Sequence, residues 1–133
     1  MNTVIQISSI MLRVVGTLAL ILGVLFWIGI GGNFIAIHML LGLLVVLLLW
    51  IVGAGQAFSK NGSWPLAIGA LALGAVVIFF GLRQSALLVG PLHWVIQVIH
   101  LLLGVFAVAV GQISVGRYQK AAAASTQITR NET

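Results

Sequence analysis

The sequence predicts an all-α fold, a transmembrane four-helix bundle with up-down-up-down order, and two observations carry that prediction. Apolar residues fill 62% of the 133 positions and charged residues only 5%, against about 25% charge in a soluble domain. So few charges cannot build an aqueous surface. The second observation is four apolar stretches with short joints that take up nearly the whole chain, each roughly 20 residues long and so able to cross a ~30 Å hydrocarbon layer. The predicted division is a bundle over residues 1–116 and a polar cytoplasmic tail over residues 117–133.

The first span is placed at residues 10–30 and is stopped by the turn signal Gly31-Gly32-Asn33. Arg13 followed by an apolar run has the order of a secretory signal, but the run is taken as a retained span. Span two covers residues 34–58, and Ser59-Lys60-Asn61-Gly62-Ser63-Trp64-Pro65 closes it with turn formers, a charge and an interfacial tryptophan. Pro65 suits the first turn of the next helix, since its missing N–H has no partner to lose there. Span three is placed at residues 66–82 and span four at residues 92–115, with Arg83-Gln84-Ser85 and Gly90-Pro91 bracketing their connection. The alanine-rich tail is expected to fray and then lose order. Trp27, Trp64 and Trp94 fall near span ends, where tryptophan anchors at the headgroups, and Trp50 lies deeper.

Charge gives the orientation. Arg13, Lys60, Arg117, Lys120 and Arg130 share one side of the predicted bundle and Arg83 alone lies on the other. Positive residues stay inside, so both termini are expected in the cytoplasm of a multi-pass protein of the plasma (inner) membrane. The basic residues cluster at span ends rather than in a stripe, so they are topology signals and not a nucleic-acid surface. Arg13 is expected to snorkel to the cytoplasmic headgroups. With no cysteine in the chain and Glu132 its one acid, thiolate sites and a carboxylate proton relay are excluded, and a metal must bind through histidine.

His38 in span two and His100 in span four therefore stand out, because ionisable side chains are costly inside a membrane. They fall at comparable depth in the outer half of the predicted bundle. Each opens the same short pattern, Ile37-His38-Met39-Leu40-Leu41-Gly42 and Ile99-His100-Leu101-Leu102-Leu103-Gly104, 62 positions apart. Gly42 and Gly104 follow their histidines by one helical turn on the same face. An imidazole there reaches a metal while the bare glycine leaves room for a flat macrocycle. Gly16 and Gly23 in span one and Gly69 and Gly74 in span three add further bare patches. The set makes a slot for heme b held by two axial histidines.

Other uses of these residues stay open at this point. A membrane histidine also serves as a hydrogen-bonding bridge between helices, and glycine serves close helix contact, as Ala70 and Gly74 would with their small-xxx-small spacing. A chlorophyll-type pigment also asks for one histidine and a flat site. His93 shares the face of His100 two turns nearer the outer surface. It is either an interfacial group bonded to water or backbone, or, with Arg83, a partner for heme propionates or a quinone headgroup.

A four-span unit with one histidine in span two and one in span four resembles a single half of heme A synthase, and more generally the cytochrome b type of membrane bundle. The resemblance covers about residues 14–115 and implies that His38 and His100 are the axial ligands of one heme b near the outer side. The catalytic half of that family carries a glutamate three residues before its first histidine and an arginine just after it, where this chain has Ile35 and Met39. The resemblance is therefore to the half that holds a cofactor without catalytic residues. It implies electron transport with quinone or a larger membrane redox complex, or within a homo-oligomer. The reading from a different class is a structural subunit of a membrane assembly without a redox cofactor.

Overall fold

The computed structural model describes residues Asn2–Asn131, and those residues form four long helices. Helix α1 spans Asn2–Trp27, α2 Ile35–Ala57, α3 Trp64–Arg83 and α4 His93–Asn131, with single 3-10 turns at Gly32–Phe34 and Gln84–Ala86. All four are long and apolar enough to cross a membrane. Successive helices pack side by side, α4 closes back on α1, and α2 also touches α4 across the ring.

Local chemistry sets the boundaries. Helix α1 ends earlier than the Gly31-Gly32 signal, because Gly29 adopts the left-handed conformation at φ 82°. The N–H of Gly29 bonds to the carbonyl of Phe26 at 3.0 Å and that of Ile30 to Leu25 at 2.8 Å, which is the paired closure of a Schellman C-cap. At the start of α3, the Ser63 side chain accepts from the backbone N–H of Leu66, and Pro65 takes its expected place in the first turn. The connection before it is tied to α2 by Gln56, whose fully buried amide donates to Ser63 O at 2.7 Å and accepts from Ser63 N at 3.1 Å. Gly62 completes this turn, since a Cβ there would collide with the carbonyls of Gln56 and Ala57.

Two helices are longer than the apolar pattern predicts. α1 begins at Asn2 rather than near residue 10 because Ile5 packs against Val52, Val115 and Tyr118, and Ser8 and Ser9 are buried. α4 continues to Asn131, so the expected fraying and loss of order after residue 116 is not seen in the described residues. Ala121–Ala124 favour helix, and the hydroxyls of Ser125, Thr126 and Thr129 bond back to carbonyls about a turn earlier. Arg13 is exposed and also makes a contact that the sequence does not announce: its Nε donates to Gln112 Oε1 at 2.8 Å, and Gln112 in turn bonds Ser9, tying α1 to α4.

The packed core fills only one end of the bundle. Leu12, Val15, Val45, Val46, Leu48, Leu49, Ala70, Val77, Ala107 and Val110 form one buried cluster. Gly111 lets Leu12 and Leu49 press against the α4 backbone. Toward the α1–α2 and α3–α4 connections this core gives way to a cavity lined by all four helices.

Candidate functional site: a cavity with two facing imidazoles

The cavity has a volume of about 520 Å³, within the range of about 300–1,000 Å³ typical of cofactor and small-molecule sites. Apolar side chains such as Leu20, Leu43 and Val108 make up much of its wall. Its inner end closes on Val45 and Val77, members of the packed core, and its outer end reaches Gly29, Gly32, Gln84 and Ser85 in the connections.

His38 and His100 both line it, from α2 and α4, the two helices that touch across the ring. Their ring centres lie 6.2 Å apart with an interplanar angle of 67°. Phe26 of α1 packs edge-on against His38 at 5.4 Å, holding the ring from the side. Nδ1 of each histidine is buried without a hydrogen-bond partner among the described residues. The backbone of Ala19 comes near His38 but closes no well-formed bond on Nδ1. The Ala19 backbone of α1 is thus a polar group beside His38, and a buried polar atom without a well-formed bond calls for an explanation.

The expected glycines divide into two groups. Gly16, Gly23, Gly42 and Gly104 line the cavity, and Gly69 and Gly74 do not. At Gly42 a Cβ would meet nothing within 4 Å, at Gly104 it would touch Leu20 at 3.5 Å, and at Gly23 it would touch Cε1 of His38 at 3.4 Å. Gly16 lets the Val108 side chain approach α1. Gly74 instead receives Trp50 and Val46 of α2 in an ordinary helix contact, so its small size serves packing. Gly69 has open space around it away from the cavity.

Sequence reasoning missed Gly81 of α3, where a Cβ would meet Cε1 of His100 at 3.3 Å. The 62-residue register that aligns the two histidines also sets Ala19 opposite Gly81. Each of these small residues brings backbone up to one imidazole, Ala19 to His38 and Gly81 to His100. That pairing was present in the sequence, although an apolar helix gives no sign of which face holds it.

The outer rim carries the polar groups. His93 lines the cavity, and its Nδ1 lies 3.2 Å from the Leu87 carbonyl. Arg83 is exposed and does not itself line the cavity, between Leu82 and Gln84, which do. Gln84, Ser85 and Gln97 occupy that rim instead. Gln97 had a signal that was passed over: a polar residue in an apolar span, on the face shared by His93 and His100.

Fold and site together define an all-helical protein with four membrane-length helices around a largely apolar cavity that bears two neighbouring imidazoles. No family model, curated protein or solved structure matches the chain.

Proposed function

We propose that this chain is an integral membrane cytochrome that holds one heme b between His38 and His100 and passes electrons to and from quinone or a larger membrane redox complex. The observation that carries the reading is the 6.2 Å separation of the two ring centres across a cavity walled by glycine and apolar side chains. An imidazole nitrogen binds a metal ion at about 2 Å, so two rings on opposite sides of one ion have their centres roughly 6 Å apart. Each ring turns freely about its own metal–nitrogen axis, and a 67° angle between them is compatible with this arrangement. Gly42 leaves the space beside His38 bare, as a flat macrocycle requires.

Heme supplies one-electron exchange at its iron when bound. His38 and His100 would be the residues that hold the iron, and with both bound no site would be left open for a substrate, which would favour electron transfer over oxidation chemistry. Phe26 holds the His38 ring by edge contact, Gly23 and Gly81 leave the room that the two rings occupy, and the apolar inner wall would tune the potential.

In the same reading the four helices cross the bilayer up-down-up-down with both termini in the cytoplasm. Large apolar side chains turned outward support insertion, among them Leu40 at 67% and Leu102 at 60% exposure. A contiguous surface of this kind is not tolerated in water. The five basic residues at one end against Arg83 at the other support the orientation.

The test is a visible absorption spectrum of the full-length protein purified from heme-replete cells. The expected result is a low-spin heme b spectrum at one heme per chain. Protein that is folded, monodisperse and colourless would overturn the cytochrome reading and leave a structural subunit.

A further inference from the structure

We propose that Gln97 recognises the carboxylate edge of the macrocycle, so that the propionates are held by a neutral amide at the cavity rim; this rests on the heme reading above. Gln97 stands on α4 four residues after His93 and three before His100, on the face that lines the cavity. It is half-buried and makes no hydrogen bond with any described residue. Its amide is therefore free to pair with a ligand, and a carboxylate would accept from its N–H groups.

The walls decide which way the polar edge must turn. The inner end of the cavity is Val45, Val77 and Val108, where a carboxylate would lose its hydration without compensation. The rim is Gln84, Ser85, His93 and Gln97. Within that rim His93 already has one partner, since its Nδ1 lies 3.2 Å from the Leu87 carbonyl. Gln97 carries two N–H donors one turn from the ligating ring, and Ser85 adds a hydroxyl from the α3–α4 connection. Arg83 does not line the cavity, so Gln97 and Ser85 are uncharged donors on its wall within reach of a carboxylate there.

The test compares iron protoporphyrin with its dimethyl ester, each titrated into detergent-solubilised full-length protein, for the wild type and Gln97→Met. Methionine keeps the length of the side chain and removes the donors. The variant is expected to lose roughly 10- to 100-fold in affinity for the free acid, the worth of a hydrogen bond to a charged group. Its affinity for the ester should stay within about threefold. Equal losses for both forms would show that Gln97 acts through packing, and unchanged binding of both would show that it does not touch the macrocycle, as if it served a quinone carbonyl. Either outcome overturns the proposal while leaving the heme reading intact. Failure of the wild type to bind either form overturns the heme reading itself, and is seen before any variant is compared.

Discussion

The His38 and His100 rings, 6.2 Å apart between centres, stand part-way along the cavity between α2 and α4, whose wall continues past them through Gly42 and Gly104 to Val45 and Val108. Beyond that inner end, Val46, Leu49, Ala107 and Gly111 bring the same two helices together in packed core. The imidazoles thus have cavity on both their rim side and their core side.

His38→Ala and His100→Ala are each expected to abolish stable heme binding, and His93→Ala to leave the heme in place. Axial ligands hold the iron directly, whereas a rim residue tunes affinity and potential. Heme-to-protein ratio and visible spectrum of the purified variants check this. Comparable loss in all three would show that the ligand pair is wrong or that a second heme is bound.

Leucine substitutions should separate cavity glycines from packing glycines. Gly42→Leu places a side chain in open space inside the cavity, and Gly104→Leu adds bulk next to Leu20. Both should lower heme occupancy while the protein stays monodisperse in detergent. Gly74→Leu collides with Trp50 and Val46, and overpacking of this kind costs about 1–3 kcal/mol or more. It should destabilise the bundle with or without heme. Full heme occupancy in Gly42→Leu would count decisively against the slot.

Gln56→Leu should lower stability by about 1–3 kcal/mol, because it leaves the backbone N–H and carbonyl of Ser63 without their buried partner. The measurement is unfolding in detergent monitored by circular dichroism. The heme spectrum of the folded fraction should be unchanged, since Gln56 lies at the core end of α2, away from the cavity.

Both ends of the described chain should be cytoplasmic. Thr3→Cys and Ile128→Cys, each made singly in this cysteine-free sequence, should resist a membrane-impermeant thiol reagent in intact cells and react after permeabilisation. Labelling of either from outside would invert the orientation.

By itself the sequence determined the four long apolar helices and the position of Pro65 in the first turn of α3, and it singled out His38 and His100, whose rings meet in the cavity. These are legible because hydropathy is a property of consecutive residues, and because a histidine in an apolar span is conspicuous at any depth. The tertiary structure alone decided which glycines bare a cavity wall and which admit a neighbouring side chain, separating Gly42 from Gly74 and bringing in Gly81. It also placed Gln97 on the rim and Arg83 off it. The physical reason is rotational phase. A helix apolar on every side carries no stripe to show which face turns inward, so the direction of each side chain is fixed only when the four helices pack against one another.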